Sequence, residues 1–494
     1  MAALDRVIGY FAPERALRRA RARVALSAVR AYEGAARSDG WRVRRAGASA
    51  DADHAADARE LRNRVRSLVQ NVPYIARSLN ALVSAAIGTG IVPKAEGRGA
   101  RKLDDLWKRW GKVADADGLF DIYGIQAAAY RAMEQDGEVL IRRRRRRPAD
   151  GLPVPLQLQV LEIDWLDSSK SGATPDGGRI VNGIEYDVLG KVRAYWLYGS
   201  HPGDIVRGSL RLTSTAVPAA DIIHLYAPQR PGQGRGITRF ASVVARVRDL
   251  ALYEDAELAR KNLETRLSVL VSGDPEAMGN ASTTLPGEAG GAPAELQADL
   301  GALPSGGVHQ VPPGMNLTTV EPKPAGGYVD YCKLGLHLIT AGIGVPYESA
   351  TGDMLEVNFS SARIRQMEFR RDTEQLQWLV LVPRLCDGIW RWFCDAAIDA
   401  GEVRAADYSA EWSTPRWDYV NPKDDIDSEL AAIAGGLLTP SESLRRRGYD
   451  PDKVFAEMGE DFKRLENAGA LDLMRFLLTK GGGAGTAAPV NGGQ

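Results

Sequence analysis

The stretch from Tyr328 to Leu385 constrains the fold of this chain most, because it predicts two helices joined by an unusual loop. In the first helix, apolar residues at three- and four-residue spacing predict one buried face. These residues are Tyr331, Leu334, Leu338, Ile339 and Ile343. Gly344 ends this helix, Pro346 biases Val345 away from helical angles, and a second helix is predicted to begin near Phe359. That helix continues past Pro383 with an apolar face of its own: Leu385, Ile389, Trp392, Phe393 and Ala396.

The connecting loop, Val345 to Asn358, is apolar where most loops are polar, since it holds Met354, Leu355 and Val357. Irregular segments lie at surfaces, so these side chains indicate a surface that faces another molecule or another subunit. The alternative is a loop folded back on its own core. The candidate contact residues are Asp353, Met354, Leu355, Glu356, Val357 and Asn358.

Charge and composition exclude several functional classes. The 494 residues are enough for two or three domains, and 63 basic against 63 acidic residues leave no global field that would attract nucleic acid. The three cysteines show no Cys-x-x-Cys spacing and are predicted to be buried free thiols. The five histidines show no zinc spacing, so neither a metal nor a cofactor is expected. No run of eighteen apolar residues predicts a membrane span, and we expect a chain that is soluble and cytoplasmic when made.

Two segments are locally basic. The N-terminal arm, residues 1–60 with its Asp- and Ala-rich linker, could bind an acidic partner or nucleic acid, or could pack over a neighbouring subunit. The second is a strand-like run that places three of six arginines on each face, which predicts a charged, exposed sheet edge. A nucleic-acid contact is the weaker interpretation of this run, which comprises Arg142, Arg143, Arg144, Arg145, Arg146 and Arg147.

The glycine-rich turn Pro231 to Gly236 follows a predicted strand and precedes a helix, which is the order of elements in a phosphate-binding turn. However, Ile237 stands where the third glycine of the dinucleotide fingerprint would be, and no Gly-Lys-Ser/Thr follows. Nucleotide binding is therefore a weak alternative.

The helix from Ile237 to about Thr265 has one apolar face and an acidic second half. Its candidate functional residues are Asp249, Glu254, Asp255 and Glu257. A Gly-, Pro- and Ala-rich insertion between Gly273 and Gly307 is too polar to form a core, so we expect a mobile loop at one end of the molecule.

Four motifs stand in the order found in the portal proteins of tailed bacteriophages, lambda-type branch, which the chain resembles from about Leu61 to Leu465. The motifs are RNRVRSLVQNVPYIA with its later GTGI, GQGRG with the following YEDAEL, NFSSAR, and EWSTPRWDYVNP. Phe359 stands where the family has Tyr, and Asn421 stands where it has Asp. A catalytic role for Ser360 or Ser361 is the alternative for the third motif, but neither lies in a Gly-x-Ser-x-Gly turn, and a helix N-cap explains them more simply.

The resemblance implies an α+β fold, with a mixed α/β wing, a two-helix stem, a small β-containing clip and an α-helical crown. The implied ranges are wing 61–236 and 359–420, stem 237–265 and 328–344, clip 266–327, tunnel loop 345–358 and crown 421–479, with a disordered tail 480–494.

The resemblance also implies a function: a homo-oligomeric ring, typically a dodecamer, that conducts double-stranded DNA through one capsid vertex. Its implied partners are the terminase large subunit, the major capsid protein and head-completion or adaptor proteins, with no membrane. Its implied location is the virion, and the host cytoplasm during assembly. A neutral chain with an acidic helix suits a channel in which DNA must slide. Two alternatives stay open, namely a nucleotide-binding enzyme at Gly232–Gly236 and a stand-alone nucleic-acid-binding protein at Arg142–Arg147.

Overall fold

The computed structural model describes residues 49–204, 213–265, 269–273, 315–319, 327–355, 358–417, 422–447, 449 and 451–470. The chain divides into two units, residues 1–53 and 54–494. Most of the predicted basic arm, the Gly- and Pro-rich insertion and the C-terminal tail lie outside the described residues, as do Glu356 and Val357 of the predicted loop.

The described residues form an α+β fold, as predicted. The helices are α1 Ala50–Asn71, α2 Pro73–Ala86, α3 Ala100–Trp110, α4 Ile122–Asp136, α5 Val244–Thr265, α6 Tyr328–Ile343, α7 Tyr347–Thr351, α8 Phe359–Leu376, α9 Asp387–Asp399, α10 Pro422–Ala434, α11 Pro440–Arg446 and α12 Pro451–Asn467. The strands are β1 Val92–Ala95, β2 Glu138–Arg145, β3 Leu156–Glu162, β4 Gly172–Ala173, β5 Arg179–Val181, β6 Ile184–Tyr186, β7 Val192–Tyr198, β8 Ser214–Pro218, β9 Ile222–Tyr226, β10 Val269–Gly273, β11 Met315–Thr319 and β12 Ala410–Ser413.

An aromatic cluster at the centre of the core joins the first third of the unit to the last third. Trp107 and Trp110 of α3 lie 5.1 Å from the ring of Phe393 in α9, and Trp390 lies 5.3 Å from Trp107. Trp110 is fully buried and satisfies its indole N–H by donating to the carbonyl oxygen of Leu156 at 2.7 Å. These contacts hold α3, β3 and α9 in one core.

The two larger sheets are formed by the stretch of chain from β2 to β9. Strands β3, β2 and β9 form an antiparallel sheet in that order, and β4 to β8 form an antiparallel meander. The prediction that the arginine run lies on a sheet edge is wrong for its first residue, because β2 is the central strand as far as Arg142, which is opposite Ile222 of β9. From Arg143 to Arg145 the strand pairs with β3 only. The run therefore starts inside a sheet and becomes an edge where β9 begins.

The long helix beyond Phe359 is confirmed, with a feature that the pattern did not reveal. Between α8 and α9 the backbone adopts a π-helix from Gln377 to Cys386, which contains Pro383. Because proline has no N–H, it cannot continue an ordinary helical hydrogen-bond ladder, and the wider helix accommodates it. All five residues of the predicted apolar face beyond Pro383 are buried.

Helix α6 ends at Gly344, as predicted, where a left-handed backbone (φ 81°) directs the N–H to the carbonyl oxygen of Thr340. The prediction of one buried stripe is wrong, however. Ile339 and Ile343 are buried, whereas Tyr331, Leu334 and Leu338 are exposed. The apolar residues thus occupy two faces of the helix, and the subunit's own core covers only one.

The C-terminal helices are confirmed, and the hydroxyl of Thr439 accepts the N–H of Glu442 as the cap of α11. Their apolar faces are not covered by the described residues. The exposed residues are Ile426, Leu430, Leu437, Phe455, Met458 and Phe462. No helix within the described ranges is long and apolar enough to cross a membrane.

Candidate functional site

The glycine-rich turn is built around a buried carboxylate, that of Glu138 at the start of β2. Arg235 donates to it through Nε at 2.9 and 3.0 Å and through Nη2 at 2.7 Å, and the N–H of Gly236 donates at 2.9 Å. His224 of β9 contacts the same carboxylate at 2.9 Å. The Glu138 side chain is fully buried, and Arg235 is 2% exposed. The turn therefore binds a carboxylate of its own chain.

The surroundings of Glu138 favour an ionised carboxylate at the centre of this network. Burial alone would raise the pKa of Glu138, but Arg235 and the hydrogen bond from His224 hold it well below its ordinary range. Burial lowers the pKa of His224, so the neutral imidazole is the stable form. A buried ion pair with this many hydrogen bonds offsets much of its desolvation cost.

The rest of the turn is closed by the side chain of Gln233. Its Oε1 accepts the N–H groups of Gln229 and Arg230 at 2.9 and 3.0 Å, and its Nε2 donates to the carbonyl oxygen of Arg235. A phosphate-binding turn offers its backbone N–H groups to a ligand. Here the N–H of Gly236 in the turn, and those of Gln229 and Arg230 just before it, are already bonded to side chains. The geometry thus favours a structural role for Gly232–Gly236 over nucleotide binding.

The sequence predicts an irregular loop over residues 345–358, but the first half of this segment is helical. Helix α7 fills it, Arg77 donates to the carbonyl oxygen of Ser349 at 2.9 Å, and Arg365 pairs with Glu348 at 2.7 Å. The ring of Tyr347 stacks on His337 with centroids 4.0 Å apart. This half is therefore anchored to α2, α6 and α8.

The second half of the loop, described at residues 352–355 and 358, lies beyond these anchoring contacts. Met354 is 64% and Leu355 90% exposed. The carboxylate of Asp353 accepts the N–H of Leu355 at 3.0 Å and the hydroxyl of Tyr347 at 3.4 Å, so it shapes the loop from within. Asn358 accepts the N–H of Ala362 and the hydroxyl of Ser361 through its carbonyl oxygen. Ser361 thus lies inside the first turn of α8 and does not cap it.

Helices α5 and α6 lie against each other. A Cβ added at Gly335 would meet Leu250 at 3.3 Å, and Tyr253 contacts the rings of Tyr328 and Tyr331 at 5.8 and 4.5 Å. Beyond this seam, large apolar side chains are exposed on both helices. They are Leu252 and Leu258 of α5, and Val329, Tyr331, Leu334 and Leu338 of α6.

The four acidic candidates of α5 differ in environment. Asp249 is exposed and pairs with the adjacent Arg248 at 2.8 Å, and Asp255 is exposed. Glu257 is bound by Arg260, whose hydrogen bond lowers the pKa of Glu257. Partial burial, and then the neighbouring Asp255, raise the pKa of Glu254. Asp249 and Asp255 are thus the two exposed carboxylates, and Arg248 balances the charge of Asp249.

The arginine run lines an open cleft beside β8. Arg145 pairs with Asp221 at 3.2 Å, Arg146 donates to Gln157, and Arg143 lies 3.6 Å from Asp395. The run therefore belongs to one surface cleft, which is formed by a part of the sequence that does not include α5 or α6.

A second group of candidate metal ligands already has a positive partner. Glu162, Asp164 and His201 bring ligand atoms within 4.8 Å of one another, a grouping that histidine spacing alone did not predict. Arg66 pairs with Glu162 at 3.2 Å and with Asp164 at 2.8 Å, so a guanidinium already balances these carboxylates. Cys386 and Cys394 are buried free thiols as predicted, whereas Cys332 is only half-buried.

Sequence reasoning missed Glu138 and the pairing of Arg365 with Glu348. The signal for Glu138 was present, since an acidic residue directly precedes the apolar start of β2, Val139–Ile141. Its partner Arg235 is 97 residues away in sequence, however, and only the fold brings them together.

The described residues thus combine buried ion pairs, an anchored loop and a helix pair with an exposed apolar face. Residues 35–377, more than two thirds of the chain, match the model of the family "Phage portal protein, lambda family". The chain belongs to this family of phage portal proteins. It is a structural protein of the portal vertex of a phage-like capsid.

Individual relatives agree with this membership. The chain is 26% identical over 440 residues to the probable portal protein of Halomonas phage phiHAP-1, covering 85% of this chain and 83% of the relative. It is 22% identical over 275 residues to portal protein B of Escherichia phage lambda, covering 51% of each chain. Among solved structures, the neck of a native GTA particle computed with C12 symmetry covers 80% of this chain and 94% of its own, at 15% identity and a TM-score of 0.46.

Proposed function

We propose that this portal protein assembles as a closed ring, typically of twelve subunits, and conducts double-stranded DNA through its centre. Helices α5 and α6 form the stem, and the hairpin of β10 and β11 belongs to the clip. Residues 61–236 and 359–420 form the wing, and residues 421–479 form the crown. The observation that carries the proposal is the uncovered apolar face of α6 beside the exposed leucines of α5.

Physical chemistry supports a ring over a two-fold dimer. Leu334 is 58% exposed and Leu338 41%, and an exposed group of large apolar side chains marks an interface with another chain. The exposed residues of α6 and those of α5 belong to different helices, so the exposed face of α6 in one subunit can contact α5 of the next. A contact between one surface and the other is heterologous, and such contacts generate rings when the rotation closes.

The projecting half of the loop then forms a collar around the DNA. Apolar side chains such as Met354 and Leu355 cannot pair with phosphates, so they restrain a double helix by steric contact. Asp255 on the stem repels phosphates, which keeps the duplex from being held by ion pairs, whereas Asp249 is already paired with Arg248. Glu356, Val357 and Asn358 complete the proposed collar.

In this proposal the ring is passive. The terminase large subunit supplies the energy for packaging, the major capsid protein surrounds the ring, and head-completion or adaptor proteins bind at the clip. Assembly takes place in the host cytoplasm, and the chain has no enzymatic activity and no cofactor.

The stem variant Leu334→Glu tests the ring. A glutamate at this exposed position changes the free energy of unfolding by no more than about 0.5 kcal/mol, but it puts a charge into the subunit contact. We expect monomers in native mass spectrometry with an unchanged circular dichroism spectrum. The matched control is Leu119→Glu, at a residue exposed elsewhere. Rings formed by Leu334→Glu as readily as by the control would refute the stem interface.

The collar variant Met354→Ser/Leu355→Ser tests the loop. It removes both apolar side chains and keeps the loop length, and its control is Val188→Ser/Leu189→Ser in the exposed turn between β6 and β7. We expect normal rings by electron microscopy but a shorter packaged DNA length per particle. Normal packaging and retention would show that the loop does not restrain the genome, and loss of the ring would show that it is structural.

A further inference from the structure

The arginine run forms one wall of a cleft between two sheets. After β8 the chain turns through Ala219–Asp221 and continues as β9, whose first residue, Ile222, is opposite Arg142 of β2. The end of β2 and the end of β8 therefore both lie next to this turn. The space between them has a volume of about 360 Å³. Its lining consists of Arg142, Arg143, Arg144, Arg145, Arg146, Thr215, Ala216, Val217, Pro218 and Asp221.

The positive charge in this cleft is not balanced by the described residues. Five arginines line the cleft, whereas the described ion pairs supply two carboxylates, Asp221 to Arg145 and Asp395 to Arg143. The side chains of Arg142 and Arg144 make no hydrogen bond or ion pair with any described residue, and Arg143, with a side chain only 10% exposed, has a buried Nε without a hydrogen-bond partner there. Burial and the neighbouring Arg144 lower the pKa of Arg142. Crowded, partly desolvated cations of this kind favour an anionic ligand.

Both walls of the cleft are free strand edges. Among the described strands, β8 is the last in its sheet and pairs with β7 only, and β2 pairs with β3 only from Arg143 to Arg145. A free edge presents backbone N–H and C=O groups that accept an added strand. An extended peptide uses both donors and acceptors, whereas a nucleic-acid backbone supplies acceptors alone.

We propose that this cleft binds an extended acidic peptide segment of a partner protein, which adds as a strand along Arg143–Arg145 while its carboxylates pair with the arginines. The charge is spread over five consecutive residues, Arg142 to Arg146, a length of about 16 Å in an extended chain. A single small anion would leave most of it unpaired. The proposal is independent of the ring, because it uses neither the stem nor the loop.

Fluorescence anisotropy with the full chain tests this proposal. The probe is a labelled ten-residue peptide of alternating Glu and Thr, measured at about 0.1 M salt, where screening is moderate. We expect saturable binding that Arg142→Gln/Arg144→Gln weakens about tenfold or more, because those two arginines lack other partners. The matched control, Arg101→Gln/Arg109→Gln on the exposed side of α3, should bind like the unchanged protein.

Two further probes on the unchanged protein separate strand addition from simple charge attraction. The same peptide with alternate backbone amides methylated keeps its carboxylates but loses donors, and we expect about tenfold weaker binding. An oligothymidylate of equal charge should bind more weakly than the peptide. The proposal is overturned if the peptide does not bind, if Arg142→Gln/Arg144→Gln binds like the control, if methylation has no effect, or if the oligonucleotide binds more tightly.

Discussion

Replacing Arg235 by alanine tests whether the glycine-rich turn is a structural element. The substitution removes three hydrogen bonds to Glu138 and two further contacts, to the carbonyl oxygen of Asn182 at 2.8 Å and the hydroxyl of Ser168 at 3.2 Å. It leaves a fully buried carboxylate without its cation. Breaking a buried ion pair in this way costs about 3–5 kcal/mol of unfolding free energy.

Two companion variants separate charge from geometry. Arg235→Lys keeps the cation but loses the planar fork that contacts both carboxylate oxygens, so we expect a smaller loss of about 1–3 kcal/mol. The double variant Glu138→Gln/Arg235→Met removes both charges. It should be more stable than Arg235→Ala, because no charge is left buried and unpaired.

The assay is urea unfolding followed by circular dichroism, with isothermal titration of ATP on the same samples. Arg109→Ala on the exposed surface of α3 is the control and should stay within about 0.5 kcal/mol of the unchanged protein. We expect no ATP binding by any sample. The reasoning is refuted if Arg235→Ala unfolds like the control, and the nucleotide-binding alternative gains support if ATP binds and this substitution abolishes the binding.

Three further predictions concern the same core. The pKa of His224 lies below its ordinary 6.5, so the contribution of this residue to stability is complete above pH 6.5 and is lost as the pH falls. Between pH 7 and 5, the urea midpoint of His224→Gln should therefore decrease less than that of the unchanged protein. Gly236→Ala places a Cβ 2.1 Å from the carbonyl oxygen of Gly137 and should cost about 1–3 kcal/mol in urea unfolding, whereas Gly199→Ala meets no neighbouring atom, has no left-handed backbone and should cost less. Phe393→Ala should cost about 3–5 kcal/mol, measured likewise, because it empties the centre of the aromatic cluster.

Local features of this fold follow from sequence pattern. Gly344 ends α6 because glycine adopts the left-handed conformation without strain, and Thr439 caps α11 with its hydroxyl. Such signals lie within a few residues of their effect. The motif order likewise identified the family.

Features that depend on distant partners could not be predicted. Periodicity showed that Leu334 and Ile339 are both apolar helix positions, but only the packing of α5 shows that one is covered and the other is not. The arginines lie partly in a central strand because β9, some 80 residues later, pairs with the start of β2. The anchoring of the loop by Arg77 also joins residues 272 apart.

The most direct test of the central claim is electron microscopy of the purified full-length chain, with particles averaged without imposed symmetry. The account predicts closed rings with rotational symmetry, a central channel and density reaching into it at the position of Met354 and Leu355. Monomers alone at every salt and protein concentration, or two-fold dimers joined through α6, would contradict it.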